Sequence, residues 1–146
     1  MVLTARDIMD SQVVTVDGEL DVLACSRLLT ERHKGYAVVL GPRKELEGIV
    51  TEWDFLSKIV ATGASSTSLR VREIATPIVR SCAPETTAED VVEMMVKDGI
   101  RRIVVRSGTQ VVGIITSRDV LAMFRQYIDK LSSQIAGYHS DPTPLG

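Results

Sequence analysis

The sequence carries the same unit twice. Gly48-Ile49-Val50-Thr51-Glu52-Trp53-Asp54-Phe55-Leu56 returns as Gly113-Ile114-Ile115-Thr116-Ser117-Arg118-Asp119-Val120-Leu121. Ala5-Arg6-Asp7-Ile8 returns as Val71-Arg72-Glu73-Ile74, and Ala37-Val38-Val39 as Ile103-Val104-Val105. The offset is 66 residues for the two matches nearer the start and 65 for the third, so the first copy holds one extra residue between Val39 and Gly48. A unit of this size cannot bury its own apolar face, so a chain built from it must stack one copy on the other.

Each copy gives the same local pattern. In the second, Ile78-Val79 predicts a short strand and Pro84-Glu85-Thr86-Thr87 a helix start. Ala88, Val91, Val92, Met95 and Val96 then fall at i, i+3, i+4, i+7 and i+8, one face of an α-helix, which Lys97-Asp98-Gly99 ends. Met94 and Met95 belong to its core side. Arg102 to Val105 and Val111 to Ile115 are β-branched runs about Ser107-Gly108-Thr109, a hairpin signal. Thr116 opens a closing helix. The first copy predicts a strand at Val13 to Val16, a helix from about Leu20 to Arg32, a hairpin about Gly41-Pro42-Arg43 and a helix from Thr51. The fold class is therefore α+β: two βαββα units packed as a pseudo-twofold pair. Repeat 1 spans 4–62, a polar linker (Gly63-Ala64-Ser65-Ser66-Thr67-Ser68 at its start) spans 63–70, and repeat 2 spans 71–136 with an extended closing helix. Residues 137–146 form a polar tail, expected to be flexible.

Composition narrows the function classes. Hydrophobic residues make up 45% and charged residues 25%, the balance of an ordinary globular protein. A net charge of −2 gives no general attraction to nucleic acid or to an anionic membrane. No interleaved basic–aromatic patch appears. Eight of the twelve arginines lie between Arg70 and Arg125, which leaves room for a local anion site. Cys25 and Cys82 lack C-x-x-C spacing and sit among apolar residues, as small hydrophobes do. His33 falls at a helix end facing solvent, and His139 in the tail. The first residues lack the apolar core of a signal peptide, and no apolar run approaches the ~18 residues of a membrane span. The expectation is a cytoplasmic protein without nucleic-acid or membrane partners.

The repeated Gly-h-h-Thr-x-x-Asp, where h is apolar, concentrates the chemistry. Thr-x-x-Asp entering an apolar helix is also a capping box: the threonine oxygen takes an amide of the first turn, and the acid suits the positive helix end. Binding is compatible with capping. The motif follows a β-branched strand in both copies, and the glycine permits close approach of another group. An aspartate accepts from two vicinal ribose hydroxyls, while helix-start amides and threonine face phosphate.

The order strand, helix, hairpin, then Gly-h-h-Thr-x-x-Asp, present twice from about Thr4 to Phe124, resembles the cystathionine-β-synthase-type (CBS) domain family. That resemblance implies a binding module for adenine nucleotides (AMP, ADP or ATP) in clefts between the repeats, with S-adenosylmethionine the ligand of some members. It requires no cofactor and no metal. Carried over by position, Asp54 and Asp119 would hold ribose diols, with Thr51 and Thr116 beside ribose or phosphate. Because the family's cleft crosses repeats, Thr51 and Asp54 would face Ile100, Arg101 and Arg102, with Pro77 and Ile78 toward the adenine. Thr116 and Asp119 would face Lys34, Gly35 and Tyr36, with Val13 and Val14, and Arg118 could add a phosphate contact. Guanidinium forks match phosphate geometry, so the Asp54 site is expected to be the better anion site. The family's middle-strand proline is absent, with Val38 and Val104 in its place.

An enzyme of nucleotide hydrolysis or transfer is disfavoured: there is no P-loop, no metal-ligand cluster and no nucleophile paired with a base. The remaining alternative is a dimerisation module with empty clefts. This stretch of sequence holds only the two repeats, so output is expected to pass to an effector protein in trans. A homodimer is expected through the closing helix. Its apolar stripe runs on through Val120, Phe124, Tyr127, Ile128, Leu131 and Ile135, beyond what one pair of repeats consumes.

Overall fold

A computed structural model of the chain describes residues 2–78 and 80–140. Val79 of the predicted strand, residues 141–146 of the predicted tail and the His139 side chain lie outside that description. In chain order the elements are α1 (Ala5–Ile8), β1 (Thr15–Asp17), α2 (Val22–Arg32), β2 (Tyr36–Leu40), β3 (Leu46–Thr51) and α3 (Glu52–Phe55), which continues as a π-helical turn over Leu56–Val60. The second copy gives α4 (Val71–Ile74), β4 (Thr76–Pro77), β5 (Ser81–Cys82), α5 (Ala88–Asp98), β6 (Arg102–Ser107), β7 (Gln110–Thr116) and α6 (Ser117–Ser140). The architecture is mixed α+β, two copies of one unit.

Local chemistry sets the boundaries. Asp21 caps α2 by accepting from the Ala24 amide at 2.7 Å, and Thr87 caps α5 by accepting from Asp90 at 3.1 Å. Both helices end in a left-handed residue, Gly99 (φ 62°) and, at the equivalent position, His33 (φ 53°). In each copy the first strand lies parallel to the middle one, and the middle one pairs antiparallel with the third. The second copy's first strand forms at Ser81–Cys82, opposite Val104 and Val105, and Ile78 of the predicted strand lies outside it. Ile78 instead packs on an inter-sheet cluster, because the chain just before it is committed elsewhere.

That commitment is an exchange between the repeats. β4 pairs antiparallel with β3 of the first copy, Gly48 opposite Pro77 and Ile49 opposite Thr76. Its equivalent, Asp10, bridges to Ile114 on β7 of the second copy. The preceding helices follow. Val71 and Ile74 of α4 are buried in the first core with Val22, Cys25, Leu29 and Val50, while Ala5 and Ile8 of α1 are buried in the second with Val91, Met95 and Ile103. Each repeat thus completes the other's core, which explains why neither is a separate body. Cys25 occupies the position of Val91, and Cys82 that of Val16. Both thiols are buried among apolar neighbours, which pushes the Cys25 thiol up to about 11 with Asp21 adding to the rise. Between the sheets Val38, Val104 and Ile114 form a third cluster, so the two valines in place of proline stitch the repeats together.

The predicted linker is laid against α2, where Val22 and Leu23 donate to the Leu69 and Ser66 carbonyls. At the other end, α6 reaches Ser140, into the stretch expected to be tail. Val120 and Met123 pack on the second core. Beyond them Phe124, Tyr127, Ile128, Leu131, Ile135 and Tyr138 are all exposed, so the stripe is not folded back on the body.

Candidate functional site

The two closing helices start at one place. Thr51 and Thr116 end the third strands and open α3 and α6, each held by a reciprocal box. The Thr51 amide donates to Asp54 Oδ2 at 2.9 Å and its hydroxyl at 3.3 Å. The Thr116 amide and hydroxyl reach Asp119 Oδ2 at 2.8 and 2.9 Å, and the Asp119 amide returns to Thr116 Oγ1 at 3.2 Å. The same bond from cap amide to carboxylate opens α1 (Thr4 amide to Asp7, 2.8 Å) and α4 (Arg70 amide to Glu73, 2.7 Å), and neither of these pairs lines the cavity between the repeats. Capping is therefore common to all four helix starts, and position decides what else they can do.

Between the repeats lies a cavity of about 790 Å³. It is lined by Thr51, Glu52 and Trp53 from the start of α3, Thr116, Ser117, Arg118 and Asp119 from that of α6, Lys34, Gly35 and Tyr36 at the entry to β2, Arg101 and Arg102 at the entry to β6, and Asp10. Equivalent positions meet there: the Arg102 guanidinium sits 5.7 Å from the centre of the Tyr36 ring. Lys34 Nζ lies 3.1 Å from Asp10 Oδ2. Its hydrogen bond to Asp10 raises the lysine above its usual range against some desolvation. Burial pushes the Asp10 carboxyl up, but the Gln12 amide and Lys34 outweigh it and hold it low. Burial, aided by Asp10, raises the Tyr36 phenol. The Arg101 and Arg118 side chains and Asp119 Oδ1 make no hydrogen bond or ion pair among the described residues, although the Asp119 charge is close enough to act on Lys34 and Tyr36. An uncommitted carboxylate oxygen that accepts and two uncommitted guanidinium groups that donate are the set a sugar phosphate can use.

Of the predicted residues the cavity gathers Thr51, Arg101, Arg102, Thr116, Arg118, Asp119, Lys34, Gly35 and Tyr36. Two clefts were expected; both sets of strand entries open into this one. Asp54 does not line it. It is 4% exposed, and its Oδ1 takes an ion pair from Lys58 Nζ at 2.9 Å. Pro77 lies in the β4 ladder beside a smaller hollow with Glu47 and Arg72. Ile78 and Val13 pack on the inter-sheet cluster, Val14 in the first core and Ile100 against the second. Sequence reasoning missed Asp10, Glu52, Ser117 and Lys58. Only Lys58, four residues after Asp54 on the same helix, left a readable signal.

The CBS-domain family model matches residues 5–61 and 71–125. The chain belongs to the CBS-domain family. CBS tandem proteins are in general regulatory modules. This CBS pair is 29% identical over 149 residues to the mitochondrial CBS domain-containing protein CBSX3 of Arabidopsis thaliana, covering 92% of this chain and 72% of that one. It is 26% identical to hypoxic response protein 1 of Mycobacterium tuberculosis over 80% of this chain and 82% of that protein. A crystal structure of Hypoxic Response Protein I, with two coordinated zinc ions, superposes with a TM-score of 0.71 at 26% identity, covering 82% and 97% of the two chains. A hexameric CBS-CP12 protein from bloom-forming cyanobacteria gives 0.71 at 37% identity over 82% of this chain and 70% of that one. Among the described residues of this CBS pair, no helix is long and apolar enough to cross a membrane, and no group of three or more His, Cys, Asp or Glu side chains comes together as a metal site.

Proposed function

We propose that this CBS pair is a non-catalytic regulatory module that binds an adenine nucleotide (AMP, ADP or ATP) in the cleft between its repeats and reports it to an effector protein in trans. One observation carries the reading. In a cavity of nucleotide size, Asp119 keeps one oxygen uncommitted beside Arg101 and Arg118, whose guanidinium groups are also uncommitted. The carboxylate would accept from the ribose diol and the arginines would take phosphate. S-Adenosylmethionine fits the ribose acid and offers the arginines one carboxylate, but its net positive charge suits two guanidinium groups less than a phosphate does, and it ranks below the nucleotides. No nucleophile–base pair accompanies the cleft, which supports binding over turnover. Two free, buried cysteines suit a reducing compartment, and we propose the cytoplasm.

The test is a thermal-shift screen of the purified protein against AMP, ADP, ATP, S-adenosylmethionine and NADH. A ligand of the folded state at ~100 times Kd stabilises by about 2.7 kcal/mol. If none of the five shifts the transition, the nucleotide reading falls, and the module with an empty cleft replaces it.

Self-association is the second element of the proposal. Leu121, Phe124, Ile128, Leu131, Ile135 and Tyr138 are exposed on α6 and fall at steps of three, four, three, four and three, a strict heptad seam. The seam begins at Leu121 rather than at the predicted Val120, which packs on the second core. Isoleucine at the first seam position and leucine at the second, as in Ile128 and Leu131, favour a parallel pair. Covering the six side chains removes on the order of 700 Å² per protomer, close to the ~800 Å² of a standard interface. A second copy of the chain presents the same seam, and a homodimer joined along α6 follows.

A further inference from the structure

We infer that the cleft takes one nucleotide per chain, seated in its Asp119 half, because Lys58 has withdrawn Asp54 from the other half. This deepens the nucleotide-binding reading and rests on it. The two motifs are alike in sequence but not in what their carboxylates are doing. At Asp119, Oδ2 serves the Thr116 box and Oδ1 is open to the cavity. At Asp54, Oδ2 serves the Thr51 box and Oδ1 is held by Lys58 at 2.9 Å, with the carboxylate side chain only 6% exposed. Lys58 is itself anchored, donating to the Ile74 carbonyl at 2.8 Å on the segment exchanged from the second repeat. To take a ribose diol, Asp54 would have to release an internal cation and leave a buried carboxylate short of charge compensation.

The second copy carries no such clamp. The position equivalent to Lys58 is Met123, which packs on the second core and offers Asp119 no cation. The mouths differ in the same sense. Trp53, 69% exposed, stands where the other half has Arg118. An indole has no charge for phosphate, whereas a guanidinium does. The sequence favours the Asp54 half on the strength of Arg101 and Arg102. The geometry removes that advantage, because both arginines open into the cavity that Asp119 shares.

Isothermal titration calorimetry with AMP tests the inference. We expect one AMP per chain, Asp119→Asn to weaken it by ten- to a hundred-fold, and Asp54→Asn to leave Kd within about twofold. Lys58→Met, which copies the second repeat, is expected to add a second, weaker event. Two equivalent AMP molecules on the wild type, or equal losses in the two aspartate variants, overturn the inference while leaving the nucleotide reading in place. A single event that persists unchanged in Lys58→Met overturns Lys58 as the clamp. No AMP binding at all sinks the parent reading with it. Thermal melts without nucleotide give an arm independent of ligand. Asp54→Asn and Lys58→Met, which break the clamp, should each lower Tm more than Asp119→Asn does, and the reverse order overturns the clamp.

Discussion

Replacing Gly48 and Gly113 by alanine, one at a time, separates the fold role of the motif glycine from any role in ligand approach. A Cβ on Gly48 would stand 2.5 Å from the Thr76 carbonyl oxygen, 3.2 Å from its carbon and 3.5 Å from Pro77 Cα, all backbone atoms. Neither side can yield cheaply. β3 lies between β2 and β4, and β4 follows directly on α4, which is buried in the first core. The exchanged strand must move off, and overpacking of this kind costs ~1–3 kcal/mol. The alanine returns ~0.4–1 kcal/mol by restricting the unfolded chain. The mid-range net loss is about 1.3 kcal/mol, and at roughly 2–4 °C per kcal/mol for a chain near this length Tm should fall by about 3–5 °C. At Gly113 the obstacle is the side chain of Met9, with its sulfur closest and Cγ at 2.8 Å. A thioether with three rotatable bonds can turn aside, so Gly113→Ala should stay within about 1 kcal/mol of wild type. Thermal and urea denaturation of both variants measures the difference. Equal losses, or a neutral Gly48→Ala, would refute the argument that the exchanged backbone is what the glycine admits.

Arg101→Ala with Arg118→Ala should weaken AMP about tenfold or more and leave adenosine unchanged, by calorimetry; an undiminished AMP preference would return both residues to the solvated surface. The Lys34–Asp10 pair should give Lys34→Met a stability deficit of under about 1 kcal/mol, since both groups are partly exposed. Asp10 is held below its ordinary 3.8, so its share is present above that value and lost as pH falls through the folded value; Lys34 is held above 10.5, so its share is lost only as pH rises past that range. Urea midpoints from pH 3 to 9 should show the deficit level above pH ~5 and shrinking at the acid end, and a gap that widens toward acid would contradict it. Light scattering should find a dimer for the wild type and a monomer for Leu131→Asp with Ile135→Asp; a monomeric wild type rejects the dimer, and a dimer indifferent to both charges rejects α6 as its seam.

The repeat arithmetic made the fold legible. It aligned Val38 with Val104 as equivalent middle-strand residues, and the structure keeps that correspondence. What it could not express is destination. Ala5-Arg6-Asp7-Ile8 and Val71-Arg72-Glu73-Ile74 were matched to each other, but a match says nothing about which core each enters, and each enters the other repeat's. For the same reason Ile78, apolar and beside the exchange point, resembles a strand residue in sequence but packs on the inter-sheet cluster, while the ladder uses Ser81 and Cys82. The cleft was legible in its strand entries and motif threonines. It was not legible in Asp10, which reaches the cavity only because its chain crosses to β7.

The four capping boxes carry this point to the site itself. Since Thr4–Asp7 and Arg70–Glu73 make the same bond from cap amide to carboxylate as the two motif boxes, that bond is a device for starting a helix and does not by itself report a ligand. The distinguishing quantity is the state of the second carboxylate oxygen, which depends on a residue one turn further along, lysine at 58 and methionine at 123. A lysine there converts a possible ribose acceptor into a buried ion pair, and a methionine leaves it open. A fold made of two like units can thereby be kept alike in its caps, strands and cores while its cleft is made one-sided by two substitutions, Lys58 against Met123 and Trp53 against Arg118.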